Sequence, residues 1–238
     1  MEAAPARRRG ARAHRGGSVW LRQPSERVAR ASPLSRVQIV EVAVAILDES
    51  GIEGLTMRSL AQRLEVTATA LYWHVSSKED VLDLAFDHVF GEVRVPEPGP
   101  DFTQEVEELL LSWRAAMLRH PWSPTLIGRP VQGPNVVART ACLQAALVRG
   151  GLADHGLTVA THLLANYVIG ACLTEATWHQ HHDPDLPARA QAPLAVNAQL
   201  YPTFTDQEHL EDHDSEKELF LAGARTILGA LRHGPVTG

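Results

Sequence analysis

The chain has 238 residues, of which 45% are hydrophobic, and a formal net charge of −6. That length allows one small domain together with a larger one. No run of about 18 apolar residues occurs, which predicts that the chain has no membrane span, and no hydrophobic stretch follows the N-terminal arginines as in a secretory signal. Cys142 and Cys172 lie in apolar helical patterns. Buried free thiols are therefore expected, rather than a disulfide.

Residues 1–33 carry eight arginines against two glutamates, a local charge of +6. They are rich in Ala, Gly and Pro and lack apolar periodicity, which predicts a disordered arm. Flexible arginines are attracted to the negative potential of a narrow minor groove, so one hypothesis is a DNA-binding arm. The alternative is an unselected tail or a misassigned start codon. The arginines considered for the arm are Arg7, Arg8, Arg9, Arg12 and Arg15.

Residues 34–90 show the start and stop signals of a small helical domain. Ser35 and Gln38 form a capping box that predicts the start of a first helix, and Gly51 is expected to end it. A second box begins at Ser77 and predicts a helix that continues to Gly91. The first helix is expected to bury one apolar face, formed by Val37, Val40, Val44 and Leu47.

Two short helices separated by a three-residue turn are predicted within residues 55–78. One runs from about Thr56 to Leu64 and the other from about Thr67 to His74, and each begins with a threonine that can accept a bond from the helix N-terminus. Helices joined so tightly cross steeply, which lets the second enter a DNA major groove. On this second helix Trp73 is expected in the core. The side chains expected at its surface are Thr67, Ala68, Thr69, Tyr72 and His74.

The segments LSRVQIVEVAVAILDESGIEGLTMRSLAQRL and ALYWHVSSKEDVLD resemble the TetR (tetracycline-repressor) family of bacterial transcriptional regulators. LYWHV followed by a lysine is the specific part, since a bare helix-turn-helix pattern is common. The resemblance implies an all-α fold, with an N-terminal three-helix helix-turn-helix DNA-binding domain and a larger C-terminal helical ligand-binding and dimerisation domain. Glu65 departs from the family pattern, because that turn usually carries a glycine in left-handed conformation.

The resemblance also implies which side chains contact DNA. Arg58 matches a base-reading residue, and an arginine can bond to both O6 and N7 of guanine. Tyr72, His74 and Lys78 match phosphate contacts. The second helix of the pair is the reading helix, and small polar and methyl groups on it suit contacts with thymine methyls. These base-facing positions are Thr67, Ala68, Thr69 and Ala70.

A proline-rich linker at residues 91–100 separates this domain from residues 101–238, where four helices are expected at about 101–120, 135–149, 157–179 and 214–231. The segments LRHPW and NYVIGACLTEATWH resemble the tetracycline-repressor type of C-terminal domain. The last two helices are apolar nearly all round, so both of their sides must be buried. The resemblance implies that they form a homodimer, which would hold two reading helices about 34–36 Å apart on a palindromic site.

A small-molecule effector bound between the C-terminal helices is a further implication of the resemblance. Aromatic residues and methionines at helical spacing are equally typical of a packed core. Asn166 and Thr174 lie near where tetracycline-binding members place a histidine and a glutamate, so a metal-chelate mode is not expected and a lipophilic effector is. The candidate effector contacts are Trp113, Met117, His120, Trp122, His162, Asn166, Tyr167, Glu175 and Trp178.

His179, His181 and His182 could offer imidazoles to zinc, but no second ligand cluster with fixed spacing accompanies them. No metal and no cofactor are therefore assigned. The prediction is a cytoplasmic, non-enzymatic repressor that binds double-stranded operator DNA as a homodimer and is released by a small effector. The alternatives are a ligand-independent architectural DNA-binding protein and a metal-dependent hydrolase on a helical scaffold.

Overall fold

The computed structural model describes residues 19–21, 34–126, 133–180 and 216–232, and all regular structure in these segments is helical. This confirms the predicted all-α fold. Short 3-10 turns lie at Val19–Leu21 and Ser123–Leu126. The α-helices are α1 (Arg36–Gly54), α2 (Met57–Arg63), α3 (Ala68–Tyr72), α4 (Lys78–Gly91), α5 (Phe102–Arg119), α6 (Pro134–Arg149), α7 (Asp154–Gln180) and α8 (Glu216–Arg232).

The predicted helix starts in the N-terminal part are confirmed by their hydrogen bonds. The Ser35 hydroxyl accepts from the backbone N–H of Gln38, and the Gln38 side chain accepts from the N–H of Ser35 at 2.9 Å. Thr56, Thr67 and Ser77 each accept from the N–H three residues later. Each hydroxyl satisfies one of the donors that a helix N-terminus leaves unpaired, and so fixes where the helix begins.

The first helix agrees with the expected pattern at its end and differs from it at its start. Its helical backbone breaks at Gly51, which has φ +65°, and a residue without Cβ adopts this conformation at little cost. The predicted end at Gly51 is thus confirmed. Val37, expected on the buried face, is 63% exposed, because burial of α1 begins one turn later, at Ile39.

One hydrophobic core joins the N-terminal helices to the rest of the protein. Helix α1 packs on α2 and α4, helix α4 also packs on α5 and α6, and α5 contacts α6, α7 and α8. Phe90 of α4 meets Trp113 of α5 edge-on, with ring centroids 5.0 Å apart. Helix α4 therefore attaches the first three helices to the larger bundle.

Helix α7 is the longest helix and is buried along only one side. An 18-residue window within Asp154–His179 has a mean hydropathy of 1.4, so by length and composition alone the helix could cross a membrane. Ala160, Leu164 and Cys172 on one face are packed in the core of the bundle. The core helix of a helical bundle satisfies the same length and composition criterion, and the predicted absence of a membrane span stays a prediction.

The N-terminal arm is ordered at one point. Val19 is 3% exposed and Trp20 is partly buried, and their 3-10 turn packs against α4. The prediction of disorder throughout residues 1–33 is therefore wrong for Val19–Leu21, because Val19 and Trp20 can bury apolar side chains against the core. The arginines from Arg7 to Arg15 lie outside the described residues.

Both cysteines are free thiols, as predicted. Cys142 of α6 is half-buried and Cys172 of α7 is buried. Burial raises the pKa of the Cys172 thiol to about 12. Since the thiolate is the reactive form, Cys172 acts as a core side chain.

Candidate nucleic-acid interface and effector cavity

Helix α3 presents a surface of small polar and aromatic side chains. Leu71 and Val75 are buried, at 0% and 2% exposed, and hold the helix on the core. Tyr72 is 52% exposed, as expected for a surface residue. The remaining predicted base-facing residues are exposed at Thr67, Ala68 and Thr69 and half-buried at Ala70.

Trp73 and His74 exchange the positions that their sequence pattern predicted. Trp73 is 66% exposed and His74 is 7% exposed, so the expected core tryptophan and surface histidine are both wrong. Helix α3 ends at Tyr72, and the next two N–H groups bond to carbonyls only three residues back, at Ala70 and Leu71. This tighter turn rotates each residue further around the axis than an α-helix would.

The buried His74 cannot act as a charged phosphate ligand. Burial, and secondarily the charge of Arg36, lowers its pKa, which favours the neutral ring. Its Nε2 atom is buried without a hydrogen-bond partner. His74 thus supports the end of the reading helix from beneath, a role that a helical spacing argument had not indicated.

The turn between α2 and α3 has the left-handed residue that was anticipated at Glu65. Its φ is 54°, and its side chain is exposed. The N–H of Glu65 bonds to the Gln62 carbonyl at 3.1 Å, and the N–H of Val66 bonds to the Ala61 carbonyl at 3.0 Å. These two bonds form a Schellman motif, which ends helix α2 and normally favours glycine at the left-handed position.

Two cationic side chains border the reading helix. Arg58 is exposed on the first turn of α2. Lys78 begins α4, is half-buried, and donates from Nζ to the Ile52 carbonyl at 2.7 Å. Because an ammonium has three donors, this bond positions Lys78 without exhausting its capacity to bind an anion.

A cavity of about 670 Å³ lies between helices α5, α7 and α8. Four of the predicted effector contacts line it, namely Asn166, Tyr167, Glu175 and Trp178. Arg114 and Phe220 also line it, and sequence reasoning missed both. The signal for Arg114 is a charged residue within the apolar stretch of α5, whereas Phe220 comes to the cavity only through packing of α8 on α7.

A half-buried ion pair and an aromatic stack define the chemistry of this cavity. Arg114 Nη2 donates to both carboxylate oxygens of Glu175 at 2.6 Å, and these side chains are 13% and 12% exposed. The Arg114 guanidinium also lies 5.6 Å from the Phe220 ring centroid. Tyr167 stacks on Phe220 at 5.2 Å and donates to its carbonyl at 2.8 Å.

The carboxyl of Glu175 is under opposing influences. Burial raises its pKa, and a hydrogen bond with Glu216 raises it further, while Arg114 acts in the opposite direction. The net shift is upward. A raised pKa makes the neutral form of the Glu175 carboxyl more accessible than that of an exposed glutamate.

The other five predicted effector contacts do not line this cavity. Trp113 and Met117 are buried in the core, at 4% and 0% exposed, because the inner face of α5 packs against the bundle. His120 and Trp122 lie at the end of α5, where both bond to Asp48 of α1. The fifth, His162 of α7, is exposed, and its ring faces a backbone carbonyl of its own helix.

The histidine-rich segment that suggested a metal site is only partly described. His179 Nε2 lies 3.5 Å from Glu216 and 3.9 Å from Glu175, and one ligand atom from each residue falls within a 4.8 Å cluster. Glu175 is already bonded twice to Arg114, so these contacts form an ion-pair network between α7 and α8. His181 and His182 lie outside the described residues.

Comparison with known families decides the class of protein. Residues 39–85 match the family described as bacterial regulatory proteins, tetR family. Residues 95–233 match the tetracyclin repressor-like C-terminal domain, a match over more than half of the chain. The chain belongs to the TetR family. It is a transcriptional regulator with an N-terminal helix-turn-helix.

Individual relatives agree with this TetR-family assignment. An HTH-type transcriptional regulator of Saccharopolyspora erythraea is 44% identical over 218 residues, 90% of this chain and 91% of that protein. The tetracycline repressor protein class D of Escherichia coli is 28% identical over 200 residues, 82% and 88% of the two chains. ActR of Streptomyces coelicolor, solved in complex with actinorhodin, aligns with TM-score 0.77 at 29% identity and covers 87% of this chain and 99% of its own.

These comparisons confirm the predicted TetR-family assignment. They give no support to the two alternatives, an architectural DNA protein and a metal-dependent hydrolase, since the named relatives are regulators.

Proposed function

We propose that this TetR-family regulator represses transcription as a homodimer on a palindromic operator, and that a small aromatic effector releases it. The observation that carries the proposal is helix α3, which is capped by Thr67, anchored by Leu71 and exposed on its other side. Two relatives support its two halves: the class D protein is named a repressor, and ActR was solved in complex with actinorhodin.

The DNA contacts in this proposal follow from exposure. Thr67, Ala68, Thr69 and Ala70 meet base edges, and Arg58 reads a neighbouring base pair. Tyr72, Trp73 and Lys78 contact phosphates, which set register and affinity but carry no sequence information. His74 is removed from the contact set because it is buried. The arm arginines, Arg7 to Arg15, remain proposed minor-groove contacts.

The dimer surface in this proposal is the side of α7 and α8 that the bundle leaves open. Val159, Leu163 and Leu219 are 36%, 47% and 46% exposed, although all three are large and apolar. A Cβ added at Gly170 or Gly229 would meet nothing within 4 Å, so a partner helix has room to approach closely. One reading helix contacts only a few base pairs, whereas a two-fold dimer reads two half-sites.

The effector site in this proposal is the cavity between α5, α7 and α8. Its volume of about 670 Å³ lies within the usual range for small-molecule sites, roughly 300–1,000 Å³. Tyr167, Phe220 and Trp178 provide aromatic walls, and the Arg114–Glu175 pair provides polar groups that can orient a ligand. The chemistry fits a lipophilic aromatic compound with at least one polar group.

Further parts of the proposal follow from the regulatory role. The protein acts in the cytoplasm where its DNA is, needs no cofactor and catalyses no reaction. Deleting residues 1–18 tests the arm, because each arginine that neutralises a phosphate steepens the salt dependence of binding by about 0.9 units of slope. An unchanged slope after this deletion would show that the arm does not bind DNA.

Footprinting on DNA selected by the protein from a random pool tests the regulator function. We expect a short palindromic footprint and, by sedimentation, a protein dimer. Uniform coverage of any DNA would instead favour an architectural protein. A panel of planar aromatic compounds should contain members that release the selected DNA from the wild type but not from Trp178→Ala. Release that is equal in both proteins would contradict the assignment of the cavity.

A further inference from the structure

A hydrogen-bonded cluster joins the first helix to the end of the cavity-lining helix. The His120 ring, 10% exposed, lies just after α5, with Nδ1 2.8 Å from an Asp48 carboxylate oxygen of α1. The Trp122 indole donates to the same oxygen at 2.7 Å. On the other side of the ring, Nε2 lies 3.1 Å from Glu92, which follows α4 and also accepts two bonds from Arg119.

This cluster connects the two functional parts of the molecule. Asp48 belongs to α1, on which α2 packs, and α2 in turn packs on the reading helix α3. His120 is six residues after Arg114, which lines the cavity, so the two lie about 9 Å apart along the axis of α5. A displacement of α5 by a bound effector would therefore move His120 directly.

Helix α4 already provides one attachment between these parts. Asp87 is 2% exposed and accepts from the N–H groups of Asn135 and Val136 at 2.9 and 3.0 Å, which caps α6. Arg139 of α6 donates to the Gly91 carbonyl at 2.8 Å. With α4 as the single attachment, helices α1, α2 and α3, the reading unit, could pivot about α4. A second attachment at a different place fixes the direction of the reading unit. The Asp48 contacts are such a second attachment.

We propose that Asp48, His120 and Trp122 form an interdomain latch that fixes the direction of the reading helix relative to α5. In the dimer the latch sets the spacing and rotation between the two reading helices. A bound effector shifts the latch residues and thereby weakens DNA binding. These three are positioning residues, since none of them touches DNA. The inference rests on the proposed homodimeric operator binding and effector cavity.

Half-site spacing measures this role separately from stability. The probe is the palindrome selected by the wild-type protein, together with versions that have one central base pair added or removed. Each change rotates one half-site by about 34–36° and moves it about 3.4 Å along the axis. A third probe carries a single half-site, which one reading helix binds without reference to the other.

The variants are Asp48→Asn and Trp122→Phe, and the matched control is Glu49→Gln. Glu49 is the next carboxylate on α1 and loses the same charge, but it is bonded to Arg63 of α2, inside the reading unit, at 2.6 Å. Trp122→Phe keeps an aromatic side chain and the Asp48 charge, and removes the indole N–H bond to Asp48 together with part of the buried ring volume. It therefore tests the latch even where Asp48→Asn lowers stability.

We expect the wild type and Glu49→Gln to lose about thirtyfold or more in affinity on the misspaced palindromes, the scale of one or two mismatched base pairs. Asp48→Asn and Trp122→Phe should lose at most about fivefold and should bind the single half-site as the wild type does. Folded latch variants that retain the full wild-type preference would overturn the latch. A wild type without spacing preference would overturn the proposed dimeric reading itself.

Discussion

Glu65 is expected to have two costs that substitution can separate, one in folding stability and one in operator binding. Its φ of 54° places a residue with a Cβ in the left-handed region, at a cost of about 1 kcal/mol. Glu65→Gly removes this strain. Glycine also makes the unfolded chain more flexible, which lowers the stability by a few tenths of a kcal/mol. For a chain of this size, the melting temperature should rise by about 2–3 °C.

The charge of Glu65 provides the second effect. Its exposed carboxylate lies two residues before the cap of the reading helix, where a phosphate at about 8 Å in water would repel it by roughly 0.5 kcal/mol. A dimer carries two such residues, so neutralising both should tighten binding by about 1 kcal/mol, or fivefold. Screening by salt should remove most of this gain at about 1 M ionic strength.

Glu65→Gln is the matched control, because it removes the charge and keeps the strain. Fluorescence anisotropy on the selected palindrome should show similar tightening for Gln and Gly at low salt, while thermal unfolding should show stabilisation for Gly only. The strain argument fails if Gln raises the melting temperature as much as Gly. The charge argument fails if Gln binds no more tightly than the wild type in low salt.

Four further predictions concern other parts of the molecule. Lys78→Ala should weaken binding to selected and random DNA alike, while Arg58→Ala should lose about 1–3 kcal/mol at one base pair only; equal losses in a binding titration would contradict the second. Gly223→Ala places a Cβ 2.2 Å from the cavity tyrosine hydroxyl and should lower the melting temperature. Gly229→Ala has open space in one protomer, so it should raise monomer stability by up to about 1 kcal/mol but weaken the dimer, as sedimentation would show. Because the pKa of His74 is lowered, protonation disfavours the folded state, so the free energy of unfolding in urea should fall as pH drops below about 6.5, and less so in His74→Gln.

Local signals in the sequence predicted the helices well, because helix ends depend on nearby residues. The Ser35 box, the threonine caps and the break at Gly51 each involve atoms within a few residues. Trp73 and His74 could not be placed in this way, since a change from α to 3-10 turns at the end of a five-residue helix rotates both.

The effector cavity was only partly predictable for a different reason. Tyr167 and Glu175 lie on one helix, where spacing shows that they share a region. Their partners Phe220 and Arg114 lie on other helices, more than fifty residues away in sequence. The periodicity of apolar residues within one helix does not indicate which other helices it contacts. His120 illustrates the same limit, because its carboxylate partner Asp48 is 72 residues away.

The anchored turn at Val19 sets how far the arginine arm can act. Arg15 lies four positions before Val19, so their Cα atoms can be no more than about 14 Å apart. The anchor packs on α4, within a segment, residues 34–90, that carries a net charge of −5. An arginine this close to the anchor is thus tethered at high effective concentration beside an acidic segment. DNA must compete with that segment for Arg15, so we expect the arm to favour highly charged ligands over weakly charged ones.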